Sequence, residues 1–375
     1  MSIPLKEIIE RIKSASNAGT PLRIRGGGSK DFYGQSLQGE VLDTTALNGI
    51  TSYEPSELVV TVQAGTSVAE LEAVLAEKNQ CLPFEPPHFG SASGKKTTVG
   101  GMIAAGLSGP SRASSGAVKD FVLGISVVNG KAEALKFGGT VMKNVAGYDV
   151  SRLLAGSMGT LGLITEVSIK VLPIAPAEAT LKFECSQAMA LHKLNTWGAQ
   201  PLPLNASCWI QEAGVGTLYV RLRGAVAAVD AAIKKMGDMG GKLQNAASGN
   251  STVAADWQAL RNQHMDFFKL AGDECLWRLS VPDTVLDLEL GDTLLEWHGA
   301  QRWVKLPYRN EAIIRSKANE VHGNATLFIA NNSIKTTASV IFNPVKAPLD
   351  KIHRELKKQF DPAGIFNRGR MFADM

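Results

Sequence analysis

The sequence predicts an α+β fold in two domains. Two observations favour it: short apolar strands alternate with helical stretches along the chain, and glycine-rich turns concentrate before residue 172. Pro173 and Pro176 end the last strand of the glycine-rich part and mark a boundary. The predicted organisation is a first domain at 1–175 (subdomains of about 1–85 and 86–175), a second at 176–345, and a C-terminal helix and tail at 346–375 that returns to the first domain.

In the first domain, an amphipathic helix near the N-terminus leads to a short strand, 22–25, which runs into the glycine turn 26–30. A strand that ends in a glycine turn presents several backbone N–H groups to an anion. The alternative is a flexible hairpin loop. Arg25 and Lys30 bracket the glycines and favour a phosphate-binding role.

The rest of the first domain alternates strands with polar turns. A strand at 58–63 precedes a helix that Ser67 can cap, and a segment dense in glycine covers 97–110. Asn129-Gly130 predicts a two-residue hairpin after a strand at 122–128. A period-2 pattern, in which Leu163, Thr165, Val167, Ile169 and Val171 share one face, predicts another strand at 163–171.

Beyond Pro176 the pattern is one of repeated β-α-β units on an antiparallel sheet, which predicts a ferredoxin-like second domain. Arg278 lies on one of its strands, between Trp277 and Leu279. We interpret Trp297 and Trp303 as core or interface anchors. An amphipathic helix is predicted at 349–360.

Composition excludes several classes of protein. The formal net charge is only +4 over 375 residues without a basic block, which argues against a nucleic-acid partner. There is neither a signal peptide nor an apolar run of about 18 residues that could span a membrane. Four well-separated cysteines without a C-x-x-C pair are typical of a reducing compartment. We therefore expect a cytoplasmic protein, peripheral at the inner membrane through its partners.

Familiar catalytic motifs are missing. The sequence lacks G-x-G-x-x-G after a strand, which argues against the usual dinucleotide-binding fold. It also lacks the H-x-x-x-H and H-E-x-x-H pairs and the G-x-S-x-G elbow, so we expect no metal site and no acyl transfer.

Several segments nevertheless resemble a known family. Residues 25–29, 98–101, 116–120 and 159–165 are similar to the FAD domain of vanillyl-alcohol oxidase and p-cresol methylhydroxylase (PCMH-type). A closer similarity, to the FAD-binding E subunits of bacterial glycolate oxidases, spans nearly the whole chain. It is densest at 20–172 and returns at 360–371.

The resemblance implies a PCMH-type domain of two subdomains that holds FAD, with the second domain as a cap over the flavin ring. Relatives with covalent flavin place a histidine in the glycine turn, whereas Ser29 and Lys30 stand here, so we expect non-covalent FAD. The cofactor-binding residues that it implies are Arg25, Gly26, Gly27, Gly28, Ser29, Lys30, Thr98, Gly100, Gly101, Gly109, Val118, Asp120, Asn144 and Ile164.

Two residues are candidates for catalysis. Arg278 can bind a small carboxylate such as glycolate through both ends of its guanidinium, and the alternative is a salt bridge at a strand edge. Lys143 can stabilise the negative charge of reduced flavin, and the alternative is a loop lysine that closes a turn.

The implied function is oxidation of glycolate, a 2-hydroxy acid, to glyoxylate in a complex with a larger flavin subunit and an iron–sulfur subunit. One departure favours an alternative. Segment 321–326 has a single histidine, His322, where the larger subunit has a histidine-rich stretch. The chain could then be a non-catalytic electron-transfer or scaffolding subunit. A free-standing flavin reductase that uses NADPH is a third hypothesis, which no motif supports.

Overall fold

Helices and sheets divide between two units, and the predicted α+β class is confirmed. One small sheet, in which strand Leu22–Arg25 pairs with strand Glu40–Asp43, is parallel, and the larger sheets are antiparallel. The structure is a computed structural model that describes residues 2–36, 38–90, 94–140, 149–212, 214–244, 251–330, 334 and 340–372. The first unit comprises Met1–Leu107, Ala117–Pro173 and Lys335–Met375, and the second unit comprises Ser108–Gly116 and Ile174–Ile334.

Elements are numbered in chain order through both units. The first unit contains α1 (Ile3–Ala18), β1 (Leu22–Arg25), β2 (Glu40–Asp43), β3 (Ile50–Glu54), β4 (Val59–Gln63), α2 (Val68–Ala76), β5 (Gln80–Cys81), α3 (Val99–Ala105), β6 (Val122–Val128), β7 (Ala134–Gly138), α5 (Val150–Leu154), β8 (Leu163–Lys170), β9 (Leu172–Pro173) and α10 (Leu349–Phe360). The second unit contains α4 (Arg112–Ser115), β10 (Ala177–Glu184), α6 (Gln187–Gly198), β11 (Leu204–Glu212), β12 (Val215–Gly224), α7 (Val226–Asp238), β13 (Lys242–Leu243), α8 (Ser251–Asn262), β14 (Glu274–Ser280), β15 (Thr293–Glu296), β16 (Gln301–Pro307), α9 (Glu311–Glu320) and β17 (Asn324–Ile329).

A five-stranded sheet forms the centre of the first unit, in the order β3-β4-β8-β6-β7, and all of its pairings are antiparallel. The alternation at 163–171 does produce a strand, β8, at the middle of this sheet. Apolar residues of β4, β6 and β8 pack with α2 and α3 in one core. Each buried Val or Ile there contributes roughly 1.5–3 kcal/mol of transfer free energy.

The C-terminal tail lies beside the first strand of the chain. Leu22 donates its backbone N–H to the carbonyl of Ile365 (2.8 Å), and Asn367 donates to the carbonyl of Leu22 (3.0 Å). The Asn367 side chain accepts from the N–H of Ile24 (2.8 Å) and donates to the carbonyl of Met158 (2.7 Å). The first three of these bonds tie the tail to β1, which leads into the glycine turn, and the fourth ties it to Met158.

An eight-stranded antiparallel sheet forms the second unit, in the order β13-β10-β12-β11-β15-β16-β14-β17. Within β10–β13 the spatial order from the outer edge is fourth, first, third, second, and β14–β17 have the same order counted from the opposite edge of the sheet. That is the ferredoxin-like pattern predicted for this part of the chain. The two half-sheets join where β11 pairs with β15, and α6 and α7 pack on one face of the first half.

The hairpin predicted at Asn129-Gly130 is wrong in length. Five residues separate β6 from β7, because the Asn129 side chain accepts the N–H groups of Lys131 (2.9 Å) and Glu133 (3.0 Å) and so organises a longer loop. Gly130 donates to the carbonyl of Phe360 (2.8 Å), and a Cβ there would lie 2.7 Å from the Cα of Asp361. The glycine serves a long-range contact with the C-terminal helix.

The segment Ser108–Gly116 also differs from expectation, since it lies in the second unit and not with its chain neighbours. Trp297 donates its indole N–H to the carbonyl of Gly109 (2.9 Å), which fixes the segment there. The functional domain bounds stay a prediction.

No helix in the described ranges is long and apolar enough to cross a membrane. Among those same residues, no group of three or more His, Cys, Asp or Glu side chains could hold a metal ion.

Candidate functional site

The glycine loop, residues 26–30, follows β1 and packs against residues 96–98. A Cβ on Gly27 would lie 1.9 Å from the carbonyl oxygen of Lys96, so no other residue fits there without a shift of the backbone. The hydroxyls of Ser29 and Thr97 lie 3.0 Å apart. The loop is therefore held by a neighbouring backbone segment, which leaves its other side open to a ligand.

A cavity of about 90 Å³ lies against the glycine loop. Its volume corresponds to roughly three water molecules, which is enough for a phosphate-sized group. Its walls come from β1, the glycine loop, α3, and two residues of the C-terminal tail, Asn367 and Arg370. We call it the loop cavity.

Cationic side chains line the loop cavity. Burial lowers the pKa of Lys30 to about 7, and its ammonium lies 3.4 Å from the hydroxyls of both Ser29 and Thr97. Arg370 donates to the carbonyls of Gln35 (2.8 Å) and Lys30 (3.0 Å), and burial lowers its pKa to about 10. An anion in the cavity would favour the charged form of both groups.

Hydrogen-bond donors without acceptors also indicate that the loop cavity suits an anion. The Nε of Arg23, which lines the cavity, is buried without an acceptor in the described part of the chain. The backbone N–H groups of Gly26 and Gly27 likewise have no acceptor among the described residues. A buried donor is almost always paired, so the Nε of Arg23 suits a bound anion, and the N–H groups of Gly26 and Gly27 beside it are donors that the same anion could use. Arg25 instead pairs with Asp31 at 2.8 Å, a hydrogen bond that raises its pKa.

A second cluster lies within the second unit, around Arg278 on β14. Its Nε donates to the side-chain oxygen of Gln301 (2.7 Å), and its guanidinium carbon lies 5.3 Å from the ring centre of Trp297. The two Nη groups of Arg278 have no acceptor in the described residues. This guanidinium therefore keeps its outer edge available for a planar anion such as a carboxylate.

The turn at Trp297–Gly299 holds this cluster in a strained conformation. Trp297 and His298 have φ values of 52° and 59°, in the left-handed region that non-glycine residues rarely adopt. His298 is fixed through its ring by the hydroxyls of Ser207 (3.1 Å) and Ser114 (3.3 Å), and burial lowers its pKa. Arg112 lies over the same indole at 4.4 Å. Backbone strain of this kind concentrates at functional sites.

Comparison with known proteins decides the family. Glycolate oxidase subunit GlcE of Escherichia coli (strain K12) is 41% identical over 369 residues, which cover 98% of this chain and 97% of that protein. The chain belongs to the GlcE family.

The other sequence matches cover smaller parts of the chain. The FAD binding domain family matches residues 5–151. Glycolate oxidase subunit GlcD of Bacillus subtilis is 32% identical over 47% of this chain and 37% of that protein. D-lactate dehydrogenase of Anaerostipes hadrus is 38% identical over 36% of this chain and 27% of that protein. A solved structure of alkyldihydroxyacetonephosphate synthase has the same fold, with a TM-score of 0.67 at 15% identity, covering 96% of this chain and 75% of that one.

The loop cavity suits the diphosphate of FAD. The unpaired Nε of Arg23, the open N–H groups of Gly26 and Gly27, and the Lys30 ammonium are all donors, as a diphosphate requires. Of the residues predicted to bind the cofactor, the cavity brings together Arg25, Gly26, Gly27, Gly28, Ser29, Lys30, Thr98 and Gly101.

The other predicted cofactor residues lie elsewhere. Gly100 packs against Ala64, and Gly109 lies in the second unit. Val118 and Ile164 are buried in the core of the first unit, which leaves only their backbone to meet a ligand. The Asp120 carboxylate accepts the N–H of Ala117 at 2.9 Å. Asn144 and the catalytic candidate Lys143 lie outside the described residues.

Sequence reasoning missed the residues that the tail and strand β1 bring to the cavity, which are Arg23, Asn367 and Arg370. The similarity at 360–371 was the available signal, but it gave no position in space. Trp297 was interpreted as an anchor, and in the structure its indole also stacks with Arg278 and Arg112.

Proposed function

We propose that this chain binds FAD without a covalent link and oxidises glycolate to glyoxylate as one subunit of a glycolate oxidase complex. The observation that carries the cofactor part is the set of unpaired donors in the loop cavity, above all the Nε of Arg23. The 41% identity to GlcE over almost the whole chain supports the substrate and the complex.

The second unit would supply the substrate's carboxylate site. Arg278 presents two unpaired Nη groups, and glycolate is a short carboxylate that such a fork can bind through both oxygens. Oxidation removes a hydride from the α-carbon and a proton from the hydroxyl, and the proton would pass to solvent. FAD, when bound, supplies the two-electron acceptor. Arg278 would bind and orient the substrate, and Lys143 would stabilise the negative charge that reduction creates.

Electrons would then leave through a larger flavin subunit and an iron–sulfur subunit. The four cysteines of this chain are spread over residues 81–275 and form no disulfide, and their spacing is not that of a cluster-binding set, so the cluster ligands would come from a partner. We place the complex in the cytoplasm, attached to the inner membrane through its other subunits. Fractionation of cells with and without those subunits tests this: loss of membrane association without them is expected.

The second candidate function is an FAD subunit that transfers electrons but does not itself oxidise glycolate. The single histidine of segment 321–326 favours it, because the larger flavin subunit carries several there. Both candidates require the loop cavity to hold FAD, and they differ in whether Arg278 meets substrate.

Anaerobic reduction separates the two. The chain is purified alone, and acid precipitation is expected to release its flavin into the supernatant, since the link is not covalent. Glycolate is then added without oxygen. Bleaching of the flavin supports oxidation by this chain, and bleaching that needs the larger subunit supports the second candidate. A purified chain that binds no FAD contradicts both.

A further inference from the structure

We propose that Gln301 and Glu296 orient Arg278 for its ligand, as positioning residues that hold the guanidinium without cancelling its charge. The inference rests on the proposed role of Arg278 as the carboxylate-binding residue. It adds two residues to the substrate site, and neither stands out in the sequence.

The sheet brings the three side chains together. Glu296 ends β15 and pairs directly with Gln301, the first residue of β16. Arg278 pairs with Trp303, two residues further along β16 and therefore on the same face as Gln301. Because diagonal neighbours on one face are within reach of long side chains, Arg278 and Gln301 can meet.

The hydrogen bonds between them fix one arrangement. Arg278 Nε donates to Gln301 Oε1 (2.7 Å), and Gln301 Nε2 donates to Glu296 Oε2 (2.9 Å). A guanidinium only donates and an ionised carboxylate only accepts, so the amide of Gln301 can satisfy both in only one orientation. Trp303 Nε1 donates to the same carboxylate oxygen (2.6 Å). Glu296, Gln301 and Trp303 are each at most 4% exposed, which keeps water out of the chain of bonds.

The order of Arg278, Gln301 and Glu296 decides how much positive charge Arg278 keeps for a ligand. The residue in contact with Arg278 is a neutral amide, and the carboxylate stands one side chain further away. Arg278 is thereby directed through Nε while its positive charge and its Nη edge stay available for an incoming carboxylate. A carboxylate in direct contact would neutralise the guanidinium and compete with the ligand.

The test uses the complete complex with FAD, and oxalate as the probe. Oxalate is a short carboxylate without a C–H bond, so it can bind but cannot lose a hydride. Its Kd is measured by calorimetry, alongside KM and kcat for glycolate. The variants are Gln301→Glu, Gln301→Met, Glu296→Gln and Arg278→Lys. Gln211→Glu makes the same chemical change at an exposed position of β11 and serves as the control.

We expect Gln301→Glu to raise the oxalate Kd and the glycolate KM by about 10-fold or more, with kcat changed much less, because the new carboxylate would compete with the ligand for the charge-assisted hydrogen bonds of Arg278. Gln301→Met removes the acceptor without adding charge, so its effect should be smaller. It also keeps the test valid if Gln301→Glu fails to fold. Glu296→Gln should raise both constants, and Gln211→Glu should change neither.

Two results would overturn the proposal in distinguishable ways. If Arg278→Lys weakens oxalate binding while the Gln301 and Glu296 variants do not, Arg278 binds the ligand without their help and only the positioning roles are lost. If Arg278→Lys also binds oxalate normally, the proposed substrate site in the second unit is wrong, and the positioning roles fall with it.

Discussion

The ammonium nitrogen of Lys357 lies 2.7 Å from a carboxylate oxygen of Asp361, and the protein encloses both groups. Lys357 also donates to the carbonyls of Thr160 and Phe366, both at 2.8 Å. Asp361 accepts the N–H groups of Ile365 (3.0 Å) and Phe366 (2.8 Å). This pair joins α10 to the tail that reaches the loop cavity.

Replacement of Lys357 by Met should destabilise the first unit strongly. The change leaves the Asp361 carboxylate buried without its cation, which costs about 3–5 kcal/mol. Denaturant unfolding measures the loss. Lys358→Met, at the exposed neighbouring position of the same helix, should change stability by less than about 0.5 kcal/mol. Equal losses in the two variants would show that the buried pair has no special role.

The lowered pKa of Lys30 should make the stability of the apoprotein depend on pH. Its pKa is about 7 in the folded chain against 10.5 for an exposed lysine, so folding disfavours its charged form. The penalty is complete below pH 7 and shrinks as the pH rises from 7 to 10.5. The apoprotein should therefore gain stability across that window, as measured by the midpoint of urea unfolding at several pH values.

The affinity for FAD should fall as the pH rises above 7, whereas the stability of the apoprotein rises. A diphosphate favours charged Lys30, so binding above pH 7 should take up a proton, and the affinity should fall by at most about tenfold per pH unit. Calorimetry in buffers of different ionisation enthalpy counts the proton. Lys30→Arg stays charged and should bind without uptake. Proton uptake that persists in this variant would assign the effect to another group.

Arg370 should support the loop cavity through its shape as well as its charge. Lys keeps the charge but cannot hold the carbonyls of Gln35 and Lys30 in one planar fork. We expect Arg370→Lys to raise the Kd for FAD by about tenfold. Equilibrium dialysis with FAD measures this. Arg368→Lys, on an exposed position of the same tail, is the control, and equal affinities in the two variants would exclude a role for the fork.

The indole of Trp297 should hold the segment Ser108–Gly116 in place. Trp297→Phe keeps an aromatic ring but removes the N–H that donates to Gly109. We expect faster hydrogen–deuterium exchange in that segment, by about tenfold for one lost bond. Trp257→Phe removes a comparable bond, to Thr180, elsewhere in the second unit. Unchanged exchange at 108–116 in Trp297→Phe would contradict the assignment.

Local patterns predicted several elements correctly. The period-2 pattern from Leu163 to Val171 produced β8, although most residues on both faces of this central strand are buried. The glycine loop after β1 was also predicted, because glycines after a strand allow a sharp turn and a close approach to a neighbouring backbone. These patterns did not identify a ligand. The resemblance of residues 20–172 to known FAD domains indicated that the cofactor is FAD.

Long-range contacts explain the failures. Gly130 suggested a tight hairpin, yet it is a glycine because Asp361 lies against it, 231 residues later in the chain. Asn367 and Arg370 reach the loop cavity only because the tail pairs with Leu22. Gly109 lies in the second unit, where its carbonyl accepts from Trp297, 188 residues later in the chain. Spacing within a short window contains no information about such pairs.

The pairing of the tail with β1 also makes the loop cavity a late structure in folding. Its walls are complete only when β1 and the tail, about 340 residues apart in the chain, have paired. Until then the N–H groups of Leu22 and Ile24 lack their native acceptors, and the cavity lacks Asn367 and Arg370. A chain whose tail has not paired with β1 is therefore expected to hold the flavin more weakly.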